Sequence, residues 1–368
     1  MPYMGAFGCC ICGNILEYEH EIMFTLRERE EWENKTPPIT CSTTELEGMY
    51  FNVPWVWATL VRMIIPTDKH YMYTAENQPA QNSFFLSGVG QMGFWNNVRG
   101  SLEPLPITVP LSQNTVMIGG YDGASDGVAS AYWTRMLFTE DDDQDLHYTP
   151  RGYVLHERCW WLAKRLIGAS VLERNLNLFA AVLHDRRDDI LASGSFGPSE
   201  GSFYVREIMT VGAKRFLRNP QRYMRKHMNI LEDPRYFHGR DPVNITEIRD
   251  LVDEARRRLM MLPKAALISA PIDVQCLIAD CIDSQRDLNN MLVAFRWQLP
   301  DAYWRGRFPE DIIFEYDGFK NEQIDWQYLS RGVEQLLKTC QGLRNRRRIL
   351  RLLDGIKKAF LNWIHTKV

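Results

Sequence analysis

The sequence has little of what marks the readily recognised function classes. Charge of one sign is missing: 43 Lys and Arg stand against 46 Asp and Glu, a net charge of −3, so no global field favours nucleic acid or an anionic membrane. No apolar run approaches the roughly 18–20 residues of a membrane-spanning helix. The opening residues, Met1 to Cys10, lack the basic start and long apolar centre of a signal peptide. An intracellular protein, of cytoplasm or nucleus, is therefore expected. Cysteine is sparse. Cys9 and Cys10 are adjacent and the other six are scattered without framework spacing, which leaves free thiols, metal ligands or core residues in place of disulfides. Internal repeats and low-complexity tracts are absent.

Catalytic signatures are lacking too. His156-Glu157 begins like a zinc-protease HExxH helix, but Trp160 stands where the second histidine belongs. There is no Gly-x-Ser-x-Gly elbow and no Walker loop. Gly88-Val-Gly90-Gln-Met-Gly93 fits the bare GxGxxG pattern, yet Pro104 and Pro106 follow too soon for the long helix of a dinucleotide site. It reads as a glycine-rich turn between strands. A protein without enzymatic activity is the expectation.

What is present changes character along the chain. The first 150 or so residues are rich in Pro, Gly, Asn, Thr and aromatics, with short strands expected at Met49–Val53 and Asn114–Ile118. The acidic run from Glu140 to Asp145 reads as a solvated loop. Cys159, Leu162, Leu166 and Ile167 predict a helix ending near Gly168, and Leu172, Leu176, Phe179, Ala180 and Leu183 predict another. From Asn244 the chain turns helical. Ile248, Leu251, Val252, Ala255 and Leu259 form a stripe capped by Asn244 or Thr246 and stopped by Pro263. Later stripes run through Leu329, Val333, Leu336 and Leu337, then through Ile349, Leu352, Leu353, Ile356 and Phe360.

One constellation carries metal chemistry. In Cys9-Cys10-Ile11-Cys12-Gly13, two thiolates two residues apart can reach one tetrahedral ion, and glycine relieves the crowded turn, as in a zinc knuckle. His156-Glu-Arg-Cys159 is the best complement. Together Cys9, Cys12, His156 and Cys159 would make a closed, structural zinc site, with Cys10, His20 and Cys41 as substitute ligands. The competing reading makes Cys159 a core thiol beside Trp160 and Trp161, with Cys9 to Cys12 in a loose tail.

The most informative stretch runs from Ala270 to Asp317. Pro271 suits a helix's first turn, and Val274, Leu277, Ile278, Cys281 and Ile282 fall on one face. Leu288, Met291, Leu292 and Phe295 repeat the pattern, and Trp297, Leu299, Tyr303, Trp304 and Phe308 follow as large anchors. Pro271, the pair Asp287-Leu288, and Trp297 or Trp304 match in order the elements of an F-box; Ala270 and Asp273 stand where that motif has leucine and glutamate. Leu299-Pro-Asp-Ala-Tyr-Trp304-Arg-Gly-Arg-Phe308 and Gly342-Leu-Arg-Asn-Arg-Arg-Arg-Ile349 complete a resemblance to fungal F-box-like proteins with an N-terminal Cys-x-x-Cys. The resemblance implies an adaptor that docks a Skp-type subunit of a cullin ubiquitin ligase and presents an unknown protein substrate. Pro271, Ile272, Val274, Leu277, Ile278, Leu288 and Leu292 would supply the contact. Alternatively, the chain is a non-catalytic, zinc-stabilised structural or interaction protein whose F-box-like segment lies in its own core.

The resulting fold class is α+β: an irregular mixed N-terminal half with short strands, and an all-helical C-terminal half containing the F-box-like module. The layout is a mixed region with the candidate zinc site over 1–184, a linker or surface loop over 185–204, a helical connector over 205–263, the F-box-like module over 264–317, and C-terminal helices over 318–368. Arg344, Arg346, Arg347, Arg348 and Arg351 form the one dense basic cluster. Interleaved with Ile349, Leu350, Leu352 and Leu353, they read as the solvated face of an amphipathic helix.

Overall fold

A computed structural model describes residues 9–13, 39–48, 57, 60–67, 84–91, 107–118, 128–133, 151–186, 240–258, 270–282 and 284–367. The strand expected at Met49–Val53, the acidic run, the segment 187–204, the Pro263 stop and Gly93 lie outside those residues. The chain forms two compact units, Met1–Asn244 with Arg347–Val368, and Ile245–Arg346. This division differs from the five-part layout drawn from the sequence.

The first unit is built on a mixed sheet. Its strands are β1 (Ile39–Ser42), β2 (Leu60–Pro66), β3 (Phe84–Leu86), β4 (Val89–Gln91), β5 (Ile107–Pro110), β6 (Thr115–Ile118), β7 (Val128–Trp133) and β8 (Arg151–His156), in the order β1-β6-β4-β2-β8-β7-β5 with β3 beside β2. Every residue of β2 is buried, an apolar run interrupted only by Arg62, as in a strand covered on both faces. It pairs antiparallel with β8, Val61 opposite His156 and Ile64 opposite Tyr153. Gly88 sits in the two-residue turn between β3 and β4, and a Cβ there would lie 2.4 Å from the carbonyl oxygens of Ser112 and Thr115. Gly90 is inside β4; among the described residues of the glycine motif, 88–91, no helix opens, and Ser87 and Gly88 form a turn between strands. The short helix α1 is Thr43–Gly48.

Helix α2 (Glu157–Ile167) follows β8 directly and ends at Gly168, whose φ of 108° only glycine adopts readily. The single helix expected next is two, α3 (Ala169–Arg174) and α4 (Leu176–Asp185). Asn175 breaks it: the side-chain Nδ2 donates to the Val171 carbonyl at 2.8 Å, a local bond that competes with the helical ladder. Trp160, Phe179 and Phe360 stack edge to face, with centroids 6.0 and 5.6 Å apart.

The second unit is helical: α5 (Thr246–Arg258), α6 (Ile272–Asp280), α7 (Gln285–Phe295), α8 (Asp301–Arg305), α9 (Tyr316–Phe319) and α10 (Trp326–Thr339), with the start of α11 (Gln341–Lys367), which continues into the first unit. Trp326 anchors its core among Phe308, Tyr316 and Phe319, all within about 6 Å centroid to centroid. Ser284 caps α7 and Asp325 caps α10, each side chain accepting from a backbone N–H three residues on. Helix α7 ends at Arg296 in the left-handed region (φ 55°), and the Trp297 N–H reaches back to the Leu292 carbonyl at 3.0 Å, a Schellman turn without its usual glycine. Among the described residues no helix is long and apolar enough to cross a membrane.

Two residues of the basic cluster are not the solvated face expected of them. Arg346 is fully buried and grips both carboxylate oxygens of Glu315, at 3.0 and 2.8 Å, and the Ile312 carbonyl at 2.7 Å. Arg348 donates to the Cys12 carbonyl at 2.8 Å. The periodic apolar partners mark a helix but do not say which arginines find acceptors.

Candidate metal centre and apolar helix face

The junction of β8 and α2 builds one half of the site. His156 is the last strand residue and the N-cap of α2, with extended dihedrals (φ −61°, ψ 141°). Cys159 lies in the helix's first turn, so the two side chains emerge on one side, and the helix N-terminus favours negative charge on the thiol. The knuckle supplies the other half. The Cys10 N–H donates to the Val154 carbonyl of β8 at 2.9 Å, and the Gly13 N–H returns to the Cys9 carbonyl at 2.9 Å, with Gly13 at φ 70°. The tight turn aims Cys9 and Cys12 at the junction.

The four side chains converge. Donor atoms of Cys9, Cys12, His156 and Cys159 all lie within 4.8 Å of one another, and all four residues are buried. Cys12 Sγ is 3.4 Å and Cys159 Sγ 3.9 Å from His156 Nδ1. A tetrahedral ion with metal–sulfur bonds of about 2.3 Å holds its ligands roughly 3.8 Å apart, so the donor set fits one ion and leaves no open position. The His156 backbone N–H also donates to Cys9 Sγ at 3.3 Å. Trp57 packs edge-on against the imidazole, centroids 4.8 Å apart.

Electrostatics favour a cation. Burial drives the thiols of Cys9 and Cys159 well above the ordinary value. Burial opposes ionisation of Cys12 as well, but hydrogen bonds from Cys159 and Cys9 and the nearby imidazole hold it well below that value. Three thiolates cannot ionise together in a dry pocket on their own; a divalent ion reverses that. Cys10, a substitute ligand on sequence grounds, is outside the cluster, its thiol pushed up to about 12 by burial. Cys41 is outside it as well, and His20 lies beyond the described residues.

Between the two junction ligands lie two charged side chains that sequence reasoning missed. Glu157 pairs with Arg62 of β2, both nearly inaccessible. Arg62 also donates to the Ser87 and Gln113 carbonyls at 3.1 and 2.7 Å, so the buried pair is well satisfied. Arg158 lies 3.3 Å from Asp241. The only sequence signal for either was an acid and a base flanked by candidate ligands.

No family model, curated protein or solved structure matches this chain. The F-box resemblance thus rests on the residues quoted for it, and the structure separates those residues into two sets. Pro271 and the α6 side chains Ile272, Val274, Leu277 and Ile278 are exposed, the last four at 43, 41, 64 and 39%. Leu288 and Leu292 of α7 are core, at 5 and 1%, packed with Trp297 and Trp304. The seven do not form one exposed face. Periodicity identifies the apolar side of α7 but not what covers it, and here the unit's own helices do.

Proposed function

We propose that the chain is a non-catalytic adaptor of the F-box type. In this reading α6 docks a Skp-type subunit of a cullin ubiquitin ligase, and other surfaces present a protein substrate. One structural zinc ion on Cys9, Cys12, His156 and Cys159 cross-links the first unit. The mechanism is proximity: holding a substrate near the ligase raises its effective concentration without chemistry in this chain. Such an adaptor works in the cytoplasm or nucleus.

The observation that carries the reading is the α6 face. Ala279 is the one fully buried side chain of a helix that holds four large exposed apolar residues. Val293 of α7, 64% exposed, adds a fifth. Burying such surface against a partner returns about 25 cal/mol per Å², and four large exposed apolar side chains on the one short helix α6 are unlike the scattered exposure of an ordinary surface. For the ion, three thiolates and an imidazole with no open position suit structural zinc, not a catalytic centre.

Leu288 and Leu292 favour a second reading. Their place in the core suits a zinc-stabilised interaction protein whose F-box-like segment serves its own fold. A pull-down with a fungal Skp-type adaptor separates the two. Leu277→Asp with Ile278→Asp should abolish binding and leave the melting temperature unchanged, whereas Leu292→Asp should unfold the second unit. A folded wild-type chain that captures no adaptor overturns the first reading in favour of the second. Elemental analysis of the purified protein should give one zinc per chain.

A further inference from the structure

His156 enters the candidate metal centre by one nitrogen. Nδ1 is the ring atom that faces the sulfurs, 3.4 Å from Cys12 Sγ and 3.9 Å from Cys159 Sγ. Nε2 is buried and, among the described residues, without a hydrogen-bond partner. An ion on this donor set is therefore ligated by Nδ1, which leaves the proton of the neutral imidazole on Nε2. A metal-ligating histidine almost always donates its second N–H to an outer partner, which fixes the ring and raises its basicity. Among the described residues the His156 ring has an aromatic neighbour instead, Trp57, with centroids 4.8 Å apart.

The three thiols are held differently. Cys9 Sγ accepts the His156 backbone N–H at 3.3 Å. The turn that carries Cys12 is pinned from outside: Arg348 of α11 donates to the Cys12 carbonyl at 2.8 Å, and the Cys10 N–H donates to the Val154 carbonyl at 2.9 Å. Cys159 lies in the first turn of α2, where the helix N-terminus favours a thiolate. Polar support thus reaches each sulfur ligand or its backbone and stops short of the Nε2 side of the imidazole. Outer partners of metal ligands are each worth about 10–100-fold in affinity, and the His156 ring lacks that contribution. We propose that His156 is the releasable ligand of the site: it coordinates through Nδ1, and the ion enters and leaves while Cys9, Cys12 and Cys159 alone hold it. The first unit then exchanges its ion without unfolding, so occupancy follows metal supply. This inference rests on the zinc reading of the site.

The test is run on the zinc-loaded full chain in two ways. Competition with a chromophoric chelator should leave His156→Ala with one zinc per chain, bound within about a hundredfold of wild type, while Cys12→Ser loses more than that. Transfer of zinc to the chelator should also be faster from His156→Ala than from wild type. The second measurement needs no variant. Cadmium added to the wild-type chain should replace zinc sooner than the backbone amides of β2 take up deuterium, since those amides open only with the whole unit. Nitrogen-15 NMR of the same sample should place the metal on Nδ1 and a proton on Nε2. Equal losses in His156→Ala and Cys12→Ser, cadmium exchange no faster than the β2 amides, or ligation through Nε2 would overturn the proposal and leave the zinc reading standing. A wild-type chain that binds no zinc overturns both.

Discussion

Stripping the metal from the Cys9/Cys12/His156/Cys159 site should destabilise the first unit by an amount set by chain length. The ion would join residues 144 to 150 positions apart. Releasing a cross-link across such a loop restores about 5 kcal/mol of chain entropy to the unfolded state at 25 °C. In a unit of this size each kcal/mol moves the midpoint by about 2–4 °C, so the fall should be roughly 10–20 °C. Differential scanning calorimetry of protein as purified, after prolonged excess chelator, and after return of zinc would measure it. Cys12→Ser should reproduce the chelated midpoint. Cys10→Ser, next to the site but outside it, should leave zinc content unchanged. The second unit has its own core, so its transition should stay in place. Protein that carries no metal, or that melts at the same temperature with and without chelator, would refute the reasoning.

Other perturbations probe the surrounding structure. Glu157→Ala leaves Arg62 buried and unpaired, and urea unfolding should show a loss of about 3–5 kcal/mol. Arg296→Gly removes the left-handed strain at the end of α7 and should stabilise the second unit by about 0.5–1 kcal/mol in the same assay. Glu334 has a folded-state pKa raised by burial, so its carboxyl form favours the fold. That contribution is complete below the unfolded value and is lost as pH rises through the folded one. Glu334→Gln should therefore melt higher than wild type at pH 7, by under about 1 kcal/mol given its partial exposure, with the gap closing toward pH 4.

The candidate metal set was legible because thiols and an imidazole at two- and three-residue spacing are local signals, written in two short motifs. Their convergence was not local: it depends on the antiparallel register of β2 with β8 and on the Cys10–Val154 bond, neither of which has a sequence signature. Helix α2 was legible to its last residue because Gly168 is a stop. The break at Asn175 was hidden, since the apolar spacing runs through it undisturbed. The same blindness affected Leu288 and Leu292, whose spacing predicts an apolar face and is silent on its cover. Arg346 shows the complementary limit. Its charge suggests solvent, and only the position of Glu315 makes burial tolerable.

His156, Glu157 and Cys159 reach back to residues synthesised far earlier. At roughly 5–20 residues per second, Cys9 and Cys12 emerge about 7–30 seconds before Cys159 exists. For that interval the two thiols are ligands without a site. Whatever the nascent chain meets then, whether a metal donor, an oxidant or a chaperone, meets the knuckle first, and the first unit closes around residues that have already had a separate chemical history.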